Sequence, residues 1–565
     1  MALNGVEAAP ERLETRVLPP TQKPEVCAET RIDRQQFKRQ FAIVVLLVAA
    51  VASFDCATIR DGHVWGDDFA LYIQHAKNIV QHVRYDQTNY IFDPQNPGVG
   101  PRTYPPGYPL ILSLVYWHFG LNFTAMKIEN ILVFALFLLV LFFILRTELP
   151  FLYVVATIAM IGFNPYLWDF KDTVTSDISF LFISYLTLLL IRHLYRSFPQ
   201  KLHWIETVGV AILLCLSYAT RSIGLVFIPV LFLYELVRFR KVSRLALAIT
   251  IIGLIGWAIQ GRVLHGDGDY FRQISLNPRL IASNIVSSMK ELEQLYFWPS
   301  HLTRLNRDFR LFVFVALTAL AAFGYVTRIC REVTIYDLFL PLYMATLSLF
   351  RCFDLRYVLP AVPLFLLYVF SGLQALPAFR TLEPKKYVFI ILLLSTGAIH
   401  LNAYSRLTFA VIPEGIGRKE SVQLFNYIKA NTDPAAVFIF RKPRALGLLG
   451  ERRASIYHLY RDENDLWSYF KRIGAEYLVE GPMDEPYWHS FIASQRSKLL
   501  EVYSNPDFTI YKIDATKSQT KLTGEGEHQQ ESSSATPASL AHLPPRRPKP
   551  PSAVFHLAPE SSQQP

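Results

Sequence analysis

Two adjacent carboxylates, Asp67 and Asp68, stand in the stretch His63-Val64-Trp65-Gly66-Asp67-Asp68-Phe69, just after an apolar block. A carboxylate held beside a reacting hydroxyl can take its proton as a general base. From Asp67 onward, Phe69, Ile73, Ala76 and Val80 recur at helical spacing. This predicts a helix with the acidic pair at its N-terminus, where free N–H groups and the helix dipole favour negative charge. Capping alone would account for such a pair, so its chemistry depends on its company. Ionisable groups also cluster at the ends of other apolar blocks: Arg102 with Tyr104; Asp169, Lys171, Asp172 and Asp177; Arg221; His265, Asp267, Asp269 and Arg272; and Arg351, Asp354, Arg356 and Tyr357. His265 and the Gly-Asp-Gly-Asp after it read as a plain turn. Arg221 and Arg356 are each flanked by long apolar blocks, a placement that favours lining a site or holding a lipid headgroup. A base ringed by arginines suited to phosphate fits transfer of a group from a lipid phosphate.

The elements that must position these residues are helices in a membrane. The chain has 565 residues, of which 52% are hydrophobic and only 18% charged, too apolar for a soluble protein of this length. Its apolar residues fall in blocks of roughly 15–22, the length that crosses hydrocarbon. They begin at Phe41 and continue at 128–145, 151–163, 178–191, 205–218, 223–237, 245–258, 311–326, 335–350, 358–373 and 387–403, giving about eleven spans. The net charge of +10 lies in alternate short loops, around Arg146, Arg192–Lys201, Arg238–Arg244, Arg328–Arg331 and Arg380–Lys386. These are the cytoplasmic loops by the positive-inside rule, and the charge excess reads as topology and not as a nucleic-acid surface. The acid- and aromatic-rich loops then lie outside. Gly107–Phe119, preceded by Pro105 and Pro106, is predicted to lie as a helix on the outer surface, because counting it as a span would reverse every later loop. None of the five cysteines shows CxxC spacing, so no zinc or redox motif is indicated. Cys56 and Cys352 share the outer face, a placement that admits a disulfide between them, with isolated thiols the favoured reading.

The remaining chain divides by composition. Residues 1–38 read as a flexible cytoplasmic segment and 39–404 as the membrane domain, with 60–124 its first outer loop. Residues 405–515 alternate short apolar runs with helical stretches, which predicts a small extracytoplasmic α/β domain. The Ser-, Gln- and Pro-rich residues 516–565 lack the apolar content for a core.

Four ordered stretches resemble the GT-C glycosyltransferases, and within them the glycosyltransferase 39 group, which includes protein O-mannosyltransferases and lipid A aminoarabinose transferases. WGDDFALYIQHA, with Asp67, Asp68, Tyr72 and Ala76, is similar to their first outer-loop motif. TYPPGYPLILSLVYWHFG (103–120) resembles the Pro-Pro surface helix, YATRSIGLVFIPVL (218–231) the Arg-x-x-Gly start of a middle span, and LRYVLPAVPLFLL (355–367) the Arg-Tyr-x-x-Pro start of a late one. The pattern departs in two places. Arg102 and Tyr104 stand where relatives often carry a Lys, and Asp172 and Asp177 where they often carry a Glu.

The resemblance implies a sugar donor carried on a polyprenyl phosphate and inverting transfer to a lipid, glycan or protein acceptor at the outer face, in a bacterial inner membrane. Asp67 would act as the base, on motif order alone. Arg356, with Arg221 or Arg102, would hold the leaving phosphate, and Tyr72, Tyr104 and Tyr357 would complete the substrate contacts. Asp68 would orient the acceptor or help hold a divalent cation, although one acidic pair is too little to define a metal site. A transporter or flippase is the alternative. It calls for charges in mid-membrane and an internal repeat, whereas the apolar blocks are almost free of charge.

Overall fold

The computed structural model describes residues 34–93, 100–196, 204–264, 273–297, 307–351, 354–376, 382–457 and 462–514. Expectations for the N-terminal residues up to 33, the His265–Asp269 turn, Cys352 and the tail from 516 fall outside them. The chain is a polytopic helical membrane protein with a small mixed sheet near its C-terminal end. Every apolar block lies on a helix. Eight helices among the described residues are long and apolar enough to cross a membrane, and three more apolar helices, Phe151–Gly162, Trp204–Thr220 and Ile335–Ser348, are shorter.

The helices near the site begin and end for local reasons. α1 (Arg34–Ala57) leads into the loop that carries the acidic pair. α2 (Asp68–Val80) follows and buries Phe69, Ile73 and Ala76 completely. α3 (Gly107–Phe119) starts after the two prolines, packs on α2, and leaves Leu110, Leu114, Trp117 and Phe119 exposed as an apolar strip. α4 (Phe123–Leu145) starts where the Asn122 side chain accepts from the Ala125 N–H. α5 (Phe151–Gly162) is fixed by Pro150, and α6 (Pro165–Phe170) is a single turn capped by Asn164. α7 (Asp177–Arg196) and α8 (Trp204–Thr220) pack side by side.

Arg356 belongs to a 3-10 turn, Leu355–Ala361, that runs straight into the helix Val362–Ala375. That helix is locked against Arg307–Arg331 at a close crossing. A Cβ on Gly324 would stand 2.1 Å from the Tyr368 carbonyl, and one on Gly372 2.2 Å from that of Leu320. Small residues allow membrane helices this approach. Gly372→Val is therefore expected to cost roughly 1–3 kcal/mol through overpacking, read as a lower denaturation midpoint in detergent. An unchanged midpoint would mean that the crossing does not hold Arg356 in place.

At one end of the bundle a charged junction ties α1, α4 and the loop between α6 and α7. Asp172 is fully buried and takes hydrogen bonds from Arg60 Nε at 2.8 Å and Lys171 Nζ at 2.8 Å, with Lys127 Nζ at 3.9 Å. Lys127 itself donates to the carbonyls of Arg60 and Gly62. Nearby His63 accepts from the Val174 N–H at 2.8 Å, and burial pushes its imidazole down to about 4, so it is neutral there.

The C-terminal sheet has the order β2-β1-β3-β5-β4, with β1 (Val437–Ile439), β2 (Arg453–Ser455), β3 (Tyr477–Glu480), β4 (Leu499–Ser504) and β5 (Thr509–Ile513). β1 pairs in parallel with β2 and β3, while β5 is antiparallel to β3 and β4. The β2 edge is covered by the loop after α2. Ile91 N–H donates to Ala454 O at 2.8 Å, Ala454 N–H donates to Asn89 O at 2.9 Å, and Ser455 Oγ donates to Ile91 O. Trp65, two residues before the acidic pair, packs among Phe425, Phe440 and Phe508. These contacts seat the sheet on the loop that carries the candidate chemistry.

Candidate functional site

The first turn of α2, the loop before α3, the end of α8 and the Leu355–Ala361 turn surround an open cavity. Asp68, Tyr72, Tyr104, Arg221, Arg356 and Tyr357 all line it. The four segments that resemble GT-C motifs therefore meet at one place.

Asp68 is the cavity's carboxylate. Its Oδ2 accepts from Arg356 Nη2 at 2.7 Å, and its Oδ1 accepts from the Tyr104 hydroxyl at 2.5 Å and from Arg444 Nη1 at 3.1 Å. Burial alone would raise its pKa. Arg356 and then Arg444, helped by the Tyr104 hydrogen bond, outweigh that and hold the carboxyl well below the usual carboxylate range. Arg356 is shared among acids, with Asp354 at 3.2 Å and Asp177 at 3.9 Å. Arg221 pairs with Asp177 and lies over the Tyr357 ring, 4.6 Å from its centroid. Tyr72 exchanges a hydrogen bond with Ser176 at 3.0 Å, which ties α2 to the segment leading into α7.

Asp67 turns away from the cavity. It occupies the N-cap position of α2 without capping it. Its Oδ1 instead accepts from the Ala445 N–H at 3.1 Å, in the first turn of the helix Pro443–Leu449, and Arg444 Nε stands 3.5 Å from its Oδ2. Burial raises this carboxyl above its usual range, against the pull of Arg444 and Lys442. The adjacent acids thus have opposite environments, and the two-residue motif serves two directions. Arg102 is not gathered with the rest, since its guanidinium pairs with Asp86 at 2.6 Å. Among the described residues no group of three or more His, Cys, Asp or Glu side chains is placed to hold a metal ion. The acidic pair itself is engaged by guanidinium and backbone N–H groups.

No protein-family model matches the sequence, and no curated protein is detectably similar to it. Solved structures are similar in fold. ArnT from Cupriavidus metallidurans bound to undecaprenyl phosphate superposes with a TM-score of 0.56 over 83% of this chain and 98% of that one, at 12% identity. The archaeal oligosaccharyltransferase AglB from Archaeoglobus fulgidus, in complex with an inhibitory peptide and a dolichol-phosphate, gives 0.54 over 82% and 71%, at 11% identity. The same organism's oligosaccharyltransferase tethered with an acceptor peptide gives 0.53 over 85% and 74%, at 11% identity. The chain has the GT-C fold. This agrees with the resemblance drawn from the four motifs, at an identity where only spatial arrangement remains to compare.

Within this GT-C fold the structure adds Arg444, Tyr343 and Gln273, which the sequence did not single out, and gives a defined place to Asp177, which it noted among the charges at the block ends. Arg444 reaches the acidic pair from a position 376 residues beyond Asp68. Asp177 joins Arg221 to Arg356, and Tyr343 and Gln273 complete the cavity wall. Asp177 had a signal, as an acid at the start of an apolar block. Arg444, in Arg441-Lys442-Pro443-Arg444, had none beyond a local run of positive charge.

Proposed function

We propose that the chain is a membrane glycosyltransferase that moves a sugar from a polyprenyl-phosphate carrier to an acceptor at the outer face of the membrane, with inversion. The observation that carries this reading is the cavity itself, in which one carboxylate, Asp68, faces two arginines, Arg356 and Arg221, at the end of a helical bundle. Undecaprenyl phosphate and dolichol phosphate bound to proteins of the same fold support a lipid-phosphate donor. The charge bias of the loops supports the outer face. The exposed apolar strip of α3 suits a helix lying at the membrane interface.

The base in this reading is Asp68, which fronts the cavity, and not Asp67, to which motif order alone pointed. In the resting site Asp68 is too well paired to be a good base. Reaction changes that. As the sugar C1 breaks its bond to the phosphate oxygen and forms one to the acceptor oxygen, the acceptor proton passes to Asp68, and the carrier leaves as a more highly charged lipid phosphate. The growing charge draws Arg356 from Asp68 to the phosphate. The arginine then binds the transition state more strongly than the ground state, and Asp68 gains proton affinity when it must accept a proton.

The test is release of undecaprenyl phosphate from a panel of undecaprenyl-phosphate-linked sugars by the purified protein. Arg356→Ala is expected to lower kcat/KM by roughly ten- to a hundredfold, as loss of a charge-assisted contact to phosphate implies. If no donor in the panel is turned over, or if Arg356→Ala matches the wild type, the reading fails.

A further inference from the structure

The C-terminal domain approaches the acidic pair through one side chain. Arg444 is 8% exposed at its side chain and lies between two aromatic rings, 5.1 Å from the centroid of Tyr90 and 5.3 Å from that of Tyr104. One edge of its guanidinium donates to Asp68 Oδ1 at 3.1 Å and to the Tyr104 hydroxyl at 2.6 Å, while Nε faces Asp67. A planar, permanently charged fork meets several fixed acceptors in a set geometry, which an ammonium on a flexible stem matches less well. The domain that supplies it is fastened to the acidic loop by backbone pairing at Asn89–Ile91 and by the 2.9 Å bond from Ile416 N–H to His63 O. Arg444 is therefore held in register with Asp68 by main chain on both sides.

We infer that Arg444 is a positioning residue of the transfer site, through which the C-terminal domain sets how tightly Asp68 holds Arg356. This rests on the donor reading above. Asp68 has two guanidinium partners, Arg356 on Oδ2 and Arg444 on Oδ1. With Arg444 present, the carboxylate keeps a cation when Arg356 swings to a phosphate. Without it, Arg356 is the one guanidinium on Asp68 among the described residues, and pulling it away leaves a poorly solvated anion behind. Arg444 thereby makes Arg356 available to the donor without touching the donor.

The experiment measures binding of undecaprenyl phosphate to the full-length protein in detergent for wild type, Arg356→Ala, Arg444→Gln, Arg444→Lys, Asp68→Asn and the Asp68→Asn/Arg444→Gln pair, with melting temperature recorded for each. Arg444→Gln is expected to weaken binding about tenfold, and Arg444→Lys, which keeps the cation but not the fork, to recover part of it. In the Asp68→Asn background the carboxylate that competes for Arg356 is gone, and Arg444→Gln should change binding by less than twofold. Such non-additivity is the mark of action through Asp68. Wild-type affinity in Arg444→Gln, or an equal loss in both backgrounds, would overturn the inference. Failure of the wild type to bind undecaprenyl phosphate, or undiminished binding by Arg356→Ala, would instead overturn the donor reading and this inference with it.

Discussion

Replacing Asp68 by asparagine should lower sugar transfer by a factor on the order of 10²–10⁴, the usual contribution of a positioned general base. Asparagine preserves size, and its carbonyl can still accept from Tyr104 and Arg444, which now share one carboxylate oxygen. What is lost is the ability to take a proton and the anion opposite Arg356. The paired variant Asp67→Asn should stay within about tenfold of the wild type, since an amide oxygen can still accept from Ala445 N–H and the residue faces away from the cavity. Turnover of an undecaprenyl-phosphate-linked sugar by the two purified variants separates the roles. A nearly active Asp68→Asn beside an inactive Asp67→Asn would return the base to Asp67.

Asp172→Ala should be the most damaging change to folding. Arg60, Lys171 and Lys127 all converge on this carboxylate, and their side chains are no more than 6% exposed. Removing it takes the carboxylate from Lys171 and Lys127 and leaves Arg60 with the half-exposed Asp169, and breaking a buried pair from one side costs about 3–5 kcal/mol. The junction fixes the start of the loop that carries Trp65 and the acidic pair, so lost stability and a lost site should appear together. The denaturation midpoint in detergent measures the first. A midpoint within a degree of the wild type would show that the cations are relieved by solvent. Asp172→Asn should be milder, because its amide oxygen still accepts hydrogen bonds from Arg60 and Lys171.

Much of this architecture is legible in one sequence because it depends on local pattern. The period of Phe69, Ile73 and Ala76 predicts α2, and the apolar blocks coincide with the helices because hydrocarbon demands long apolar runs wherever the backbone crosses it. Six of the eight residues singled out for chemistry line one cavity, since motifs of this kind mark the ends of membrane helices that pack together. The direction of each side chain is not local. Asp67 and Asp68 are equivalent on paper, and partners far along the chain separate their roles: Arg356 takes Asp68 and the Ala445 N–H takes Asp67. Arg102 stands beside the Pro-Pro motif yet is captured by Asp86, whose position depends on how the chain turns after α2. Nothing in the spacing of Arg444 foretells the two rings that enclose it.

The pairing of Ile91 with Ala454 has a consequence for how the protein is made. It joins the loop after α2 to β2, 363 positions away, beside the bond from Ser455 to Ile91 at a separation of 364. Contacts of such long range form late, after their loop entropy has been met. Until these distant segments meet, Asp68 lacks Arg444 and β2 has an uncovered edge, the kind of surface that recruits foreign strands. The edge pairing and Arg444 come from the same distal part of the chain, so the acidic pair has its full set of partners only once that long-range contact is made.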